Sequence, residues 1–83
     1  MTNELIENYL TKNAVKNAPV NIHFKQRSTV KGLFIVTKDY QELKTKNLWR
    51  IVAFSKLAEW KKTQDENLAR IFNGSEFTRL SVD

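Results

Sequence analysis

Residues 72–80 constrain the fold of this 83-residue chain more than any other part of the sequence. The stretch contains an apolar residue, the pair Asn73-Gly74, and two further apolar residues at three-residue intervals. Glycine adopts the positive φ that very tight turns require, and asparagine is one of the few other residues that tolerates it. The spacing therefore predicts a strand, a tight turn at Asn73-Gly74 and a second short strand.

Length and composition indicate a single domain over residues 1–83. The chain is long enough for a small hydrophobic core. It has no cysteine, which excludes disulfide bonds, thiolate chemistry and cysteine-based zinc sites. No apolar run approaches the ~20 residues of a membrane span, and the N-terminal residues lack the pattern of a signal peptide. We therefore expect a soluble cytoplasmic protein with no membrane contact.

The net charge of +5 is concentrated in the middle of the chain. Residues 20–62 carry ten Lys and Arg against three Asp and Glu, whereas residues 1–19 are neutral and residues 63–83 have a net charge of −2. A field of this sign favours polyanions, nucleic acid before anionic surfaces. The alternative explanation is a solvated basic surface without a specific partner.

Hydrophobic periodicity predicts one helix followed by strands. Apolar residues recur at helical spacing over about residues 3–14, and Pro19 ends this segment. Alternating residues then predict a strand at 20–24 and another at 30–36. The second of these is apolar on both faces, so either it bends across the core or it meets a partner subunit.

The second half of the chain predicts three more strands. They cover residues 48–54, 68–72 and 77–82. The first follows a polar segment and extends toward Trp60 as one arm of a hairpin whose turn lies at residues 64–67. Residues 56–62 are also rich in helix formers and are an alternative helix. We favour the strand there.

Two motifs in this order resemble those of the Sm-like (Hfq-like) family of small β-barrels. The first is Val20-x-Ile22-x-Phe24, a polar turn and Val30-x-Gly32, and the second is Phe72-Asn73-Gly74-x-x-Phe77-x-x-Leu80. The resemblance implies a mainly β fold with an N-terminal α-helix and a strongly bent, five-stranded SH3-type barrel over about residues 19–82. It also implies single-stranded RNA as a partner, bound at loops, and homo-oligomers that form through edge strands.

The chain departs from that family at functional positions. The family usually has Asp six residues after the glycine of the first motif and often Asn four residues later, where this chain has Lys38 and Glu42. Asn73 replaces the basic residue of the second motif. The resemblance therefore supports the barrel more directly than an RNA pocket.

No catalytic or cofactor motif is present in the sequence. His23 is the only histidine, which excludes a His-rich metal site, and we expect it to be a solvent-facing strand residue. By the resemblance to the Sm-like family, His23 occupies the position where Hfq-like proteins carry a ring that contacts RNA. Two glycines in the whole chain do not form a P-loop or a dinucleotide fingerprint. We expect a non-enzymatic protein without a cofactor or metal.

Basic side chains near aromatic ones are the predicted nucleic-acid contacts, because cations bind phosphates and aromatic faces stack on bases. The predicted binding residues are Lys25, Arg27, Lys31, Arg50, Arg70, Asn73 and Arg79. Asn73 is either a turn residue alone or an amide that also contacts a base. Most large aromatic residues are expected in the core, namely Trp49, Phe54, Phe72 and Phe77.

Two functions remain open from the sequence. The first is a module that binds single-stranded RNA or other nucleic acid through basic loops. The second is a protein-interaction or scaffold module of SH3-type fold, which predicts an exposed apolar patch at Leu33, Ile35 or Trp60 and self-association through an edge strand. We favour the first, because the basic excess falls inside the predicted barrel.

Overall fold

The computed structural model describes residues 1–12 and 18–82. Its helices and strands are α1 Asn3–Lys12, β1 Val20–Phe24, β2 Val30–Phe34, α2 Tyr40–Thr45, β3 Leu48–Ala53, α3 Leu57–Thr63, β4 Ala69–Asn73 and β5 Phe77–Ser81. Single 3₁₀ turns lie at Phe54–Lys56, Glu66–Leu68 and Gly74–Glu76. The predicted N-terminal helix is confirmed up to Lys12, and its last two positions lie outside the described residues. None of the helices described is long and apolar enough to cross a membrane.

The five strands found in residues 1–12 and 18–82 form one antiparallel sheet in the order β4-β3-β2-β1-β5. The predicted number of strands is confirmed. The predicted barrel is not closed, because β4 and β5 are the two edges of the sheet and do not pair with each other. The physical reason is the 3₁₀ turn Gly74–Glu76, which leads the chain away from β4 so that β5 pairs with β1.

The sheet is strongly curved. The rings of Phe24 at the end of β1 and Phe72 in β4 have centroids 5.9 Å apart, although β2 and β3 lie between their strands. The usual spacing between strands would place these positions roughly 14 Å apart in a flat sheet. A register shift between His23 and Phe24 in the β1–β5 pairing bends β1, as β-bulges do. The concave face therefore brings the ends of distant strands together.

The main core lies on this concave face and is covered by α1. Its buried members are Ile6, Val20, Ile22, Trp49, Ile51, Phe77 and Leu80. Ile6 of α1 is completely buried, because the narrow apolar face of a short amphipathic helix is stabilised by packing rather than by propensity. The predicted burial of Trp49 and Phe77 is confirmed, and Phe72 is half-buried.

A second, smaller core lies on the opposite face of the sheet, under α3. It consists of Leu33, Ile35, Val52 and Leu57, with Trp60 packed against them. This core explains why β2 is apolar on both faces: the second face is covered by a helix of the same chain. Leu33 and Ile35 are buried, so the exposed apolar patch predicted there is not formed.

The preferred strand over residues 56–62 is wrong, and the alternative helix is correct. The seven residues of α3 include Leu, Ala, Glu and Lys, all of which favour helix. Gln64 ends the helix with a left-handed φ of 55°. The turn predicted at residues 64–67 is displaced to Glu66–Leu68 for the same reason. With α2 and α3, the described part of the chain is mixed α/β rather than mainly β.

The polar segment before β3 contains α2, which the sequence analysis did not predict. This helix is tied to α1, because Lys44 Nζ lies 2.5 Å from Glu7 Oε2 and Asn3 Nδ2 donates to Lys44 O at 3.0 Å. Tyr40 at its start contacts the ring of Trp49, with centroids 6.0 Å apart. Six residues are too short a helix to show a clear hydrophobic period.

Asn47 joins the N-terminal residues, β3 and the turn after β4. It has a left-handed φ of 58°, which asparagine adopts more readily than most residues. Its main-chain oxygen accepts from Gly74 N at 2.8 Å, and its Nδ2 donates to Met1 O at 2.9 Å. Its Oδ1 accepts from the indole Nε1 of buried Trp49 at 2.8 Å. Asn47 therefore contacts Met1, Trp49 and Gly74 at the same time.

Gly74 is required by close packing rather than by a positive φ. The prediction of a positive φ at Asn73-Gly74 is wrong, because neither residue has one and Gly74 begins a 3₁₀ turn. A Cβ atom added at Gly74 would lie 2.6 Å from Ile6 Cδ1 and closer still to Asn47 Oδ1. The Asn47 side chain is fixed by its own hydrogen bonds, so no room exists for a side chain at this position.

Gly74→Ala is therefore expected to lower the free energy of unfolding by about 1–3 kcal/mol, the usual cost of overpacking a tight site. Urea unfolding followed by tryptophan fluorescence measures this loss. Ser55→Ala is the control, because Ser55 also lies in a 3₁₀ turn but is exposed. A Gly74→Ala variant as stable as this control would contradict the packing argument.

Candidate nucleic-acid interface

The β1–β2 connection and the turn after β4 lie side by side at one end of the sheet. Lys25 N donates to Glu76 O at 3.0 Å, which ties the two segments together. The ring of Phe24 contacts Phe77 edge-on, with centroids 5.2 Å apart, as well as Phe72. We call this region the hairpin-tip surface and define it by Phe24, Lys25, Gln26, Arg27, Phe72, Asn73, Ser75 and Glu76.

Arg27 lies over the aromatic part of the hairpin-tip surface. Its guanidinium carbon is 5.0 Å from the centroid of Phe24 and 5.7 Å from that of Phe72. Cation–π contacts of this kind are worth about 0.5–1 kcal/mol at exposed sites. The side chain nevertheless remains exposed. A cationic, planar group is thus held in position and is accessible to a ligand.

A cavity of about 470 Å³ opens beside Arg27. It is lined by Phe24, Lys25, Gln26, Arg27, Ser75 and Glu76. In residues 1–12 and 18–82, the side chains of Lys25 and Glu76 form no ion pair with each other or with another residue. The cavity therefore combines an apolar ring with both a positive and a negative group whose hydrogen-bonding capacity is unused.

Asn73 caps the 3₁₀ turn that carries Ser75 and Glu76. Its Oδ1 accepts from Ser75 N at 3.0 Å and from Ser75 Oγ at 2.8 Å. The structural role predicted for Asn73 is therefore observed. Its predicted contact with a base stays a prediction, and any such contact would use the amide nitrogen, because the oxygen is engaged by the turn.

Lys31 and Arg79 lie on the opposite face of the sheet from the main core, around His23. Arg79 is the cross-strand neighbour of His23, and its Nη2 lies 3.4 Å from His23 Nε2. The imidazole is also within hydrogen-bond distance of Ser81 Oγ at 3.0 Å and Thr29 Oγ1 at 3.2 Å. These two cations are therefore separated from the hairpin-tip surface by the thickness of the sheet.

Phe54 also lies on the face opposite the main core, and not in the core. It is 53% exposed, so its predicted burial is wrong. The reason is its position just after β3, where the chain turns outward into the 3₁₀ turn before α3. The Nζ of Lys31 lies 4.8 Å from the centroid of the Phe54 ring.

The remaining two predicted residues differ in their surroundings. Arg70 is exposed on the edge strand β4, two residues before Phe72 and on the same face of that strand, so it continues the hairpin-tip surface along β4. Arg50 lies on the other face and is held by Asp39, with Nε–Oδ1 and Nη2–Oδ2 distances of 3.2 and 2.7 Å. This bidentate pair compensates the charge of Arg50.

The same ion pair changes the protonation of Asp39. Hydrogen bonds from Arg50, and then from Thr37, lower the pKa of Asp39 from 3.8 to about 2. A carboxyl group whose pKa is lowered by folding stabilises the native state above its unfolded pKa. That contribution is lost as the pH falls through the folded pKa. The relevant window for Asp39 therefore lies between about pH 4 and pH 2.

Asp39→Asn is expected to lower the melting temperature near neutral pH, because it removes the partner of Arg50. The difference from the wild type should narrow as the pH falls from about 4 to about 2, where the wild-type carboxyl becomes protonated. Circular-dichroism melts over this range test the expectation. Glu59→Gln, which removes an exposed carboxylate outside any described ion pair, is the control. A difference that stays constant with pH would contradict this role of Asp39.

Gln26, Ser75 and Glu76 line the cavity but are not predicted from the sequence. The sequence indicates them only by position. Gln26 lies between the predicted contacts Lys25 and Arg27, and Ser75 and Glu76 follow Asn73-Gly74. Within the ranges described, no group of three or more His, Asp or Glu side chains is placed to hold a metal ion.

No protein-family model, no curated protein and no solved structure matches this chain. The Sm-like resemblance therefore comes from the two sequence motifs and not from a matched relative.

Proposed function

We propose that this chain is a small Sm-like module of SH3-type topology that binds single-stranded nucleic acid, RNA first, through its hairpin-tip surface and without catalysis. The observation that carries the proposal is the position of Arg27, stacked on Phe24 and Phe72 and exposed beside a cavity of about 470 Å³. The leading helix and the strand order β4-β3-β2-β1-β5 support the family interpretation. The proposal places the protein in the cytoplasm.

The surface offers both kinds of contact that single-stranded nucleic acid needs. Bases stack on aromatic rings and on guanidinium planes, so Arg27 is a platform for one base. Lys25 in the same cavity wall and Arg70 on β4 neutralise phosphates of the same strand. The cavity volume falls within the roughly 300–1,000 Å³ of small-ligand sites, which is sufficient for a nucleobase.

The cations on the other face have a different part in this proposal. Lys31 and Arg79 face away from the hairpin-tip surface, so one short strand does not reach both faces. They strengthen the long-range positive field that attracts a polyanion. Arg50 is omitted from the interface, because its guanidinium is already bound to Asp39.

Arg27→Ala is expected to weaken binding of a labelled oligouridine of about ten nucleotides by about ten-fold or more, since loss of one stacking contact costs about 1–3 kcal/mol. Fluorescence anisotropy at about 50 and 200 mM salt measures both affinity and its salt dependence. Arg27→Lys should lose most of the affinity but keep the salt dependence, because lysine retains the charge without the planar group.

Lys62→Ala is the matched control, because it removes one exposed positive charge on α3, away from the hairpin-tip surface. This variant should bind within about two-fold of the wild type. Equal losses of affinity for Arg27→Ala and Lys62→Ala would mean that binding depends only on non-specific charge. Absence of binding by the wild type at low salt would overturn the proposed function.

A scaffold function is the second candidate, and the unpaired edges of the sheet favour it. The outer edges of β4 and β5 have no strand partner in the described residues, and Ile71 of β4 is 47% exposed. Unprotected edges pair readily with other strands, which would also give the homo-oligomer expected from the Sm-like resemblance. Light scattering after size exclusion, on the protein without nucleic acid, distinguishes a self-associating scaffold from a monomer. A monomer at all protein concentrations argues against the scaffold function.

A further inference from the structure

We propose that the cavity beside Arg27 is a nucleobase site that selects guanine. This inference rests on the proposed function, since it names the base that the hairpin-tip surface takes. Its starting point is the distribution of polar groups in the cavity wall. Glu76 comes from the turn after β4, and Lys25 and Gln26 come from the β1–β2 connection beside it.

The two segments differ in hydrogen-bonding character. A carboxylate only accepts hydrogen bonds, and its two oxygens accept two parallel donors at once. An ammonium group only donates, and a glutamine amide can donate through its nitrogen. The cavity thus presents a paired acceptor, Glu76, from one segment and the donors of Lys25 and Gln26 from the neighbouring segment.

Guanine is the base whose edge matches this arrangement. Its N1–H and exocyclic N2–H₂ are adjacent donors, and its O6 and N7 are adjacent acceptors on the same side of the purine. Adenine and cytosine each offer a single exocyclic amino group beside an acceptor, and uracil offers one N–H between two carbonyls. Only guanine satisfies both oxygens of Glu76 while its acceptors receive bonds from Lys25 or Gln26.

Backbone hydrogen bonds hold the two segments of the wall in place. The hydrogen bond from Lys25 N to Glu76 O, 3.0 Å long, holds the β1–β2 connection next to the turn after β4. The Asn73 cap fixes the turn next to Glu76, since its Oδ1 accepts from both the amide and the hydroxyl of Ser75. The site discriminates among bases, because a wrong base would displace water from the Glu76 carboxylate without offering it two donors.

Arg27 supplies the stacking surface for the bound guanine. Its guanidinium is held over Phe24 at 5.0 Å and Phe72 at 5.7 Å, so a base stacked on it lies beside the polar wall rather than in open solvent. Stacking tolerates every base, because each has a π face. The guanine preference therefore depends on Glu76, whereas overall affinity depends on Arg27.

The experiment compares oligouridine of about ten nucleotides with three versions in which one central uridine is replaced by guanosine, adenosine or cytidine. Fluorescence anisotropy with the full chain is expected to show about ten-fold tighter binding of the guanosine version than of the others. Glu76→Gln should reduce this advantage to less than about two-fold, because an amide no longer accepts two parallel donors. Its affinity for plain oligouridine should not fall.

Glu59→Gln is the matched control, because it removes an exposed carboxylate on α3 and leaves the cavity unchanged. It should keep the full preference for guanosine. Equal binding of all four oligonucleotides overturns the guanine site but leaves the proposed function intact. A preference for guanosine that survives Glu76→Gln has the same consequence. Failure of the wild type to bind any of them overturns the proposed function and this inference together.

Discussion

The contact between Asn47 and Gly74 connects segments that are far apart in the sequence. The main chain of Asn47 accepts from Gly74 N, and its side chain binds Met1 O and the indole of Trp49. Because a Cβ at Gly74 would overlap the Asn47 side chain, this approach is possible only for glycine. The position of the turn after β4 therefore depends on it, and so does the direction in which the chain enters β5.

The hairpin-tip surface depends on this fixed turn and on the curvature of the sheet. The turn carries Ser75 and Glu76, and the curvature brings Phe24 to within 5.9 Å of Phe72. Arg27 then rests on two rings from strands that are not neighbours in the sheet. A cation, a stacking plane and a cavity thus arise from long-range packing. The proposed ligand class follows from that combination, since net charge alone would fit any polyanion.

Local patterns predicted the elements that have a clear period, while tertiary contacts decided the rest. The alternation of Val20, Ile22 and Phe24 predicts β1, and the basic cluster on the first hairpin predicts Arg27 as a nucleic-acid contact. Residues 56–62 have helix propensity, but the apolar run before them favours a strand, so the prediction of a strand there is wrong. The role of Glu76 depends on a fold that places it against a loop some fifty residues earlier in the chain.

The central claim is that single-stranded RNA binds at the hairpin tip, and an NMR titration tests it most directly. Amide ¹H–¹⁵N spectra of the ¹⁵N-labelled chain are recorded while unlabelled oligoribonucleotide is added. The account predicts that the largest shift changes fall on residues 24–27 and 73–76, with smaller changes near Arg70. Changes confined to α3, or to the opposite face around His23, would contradict it.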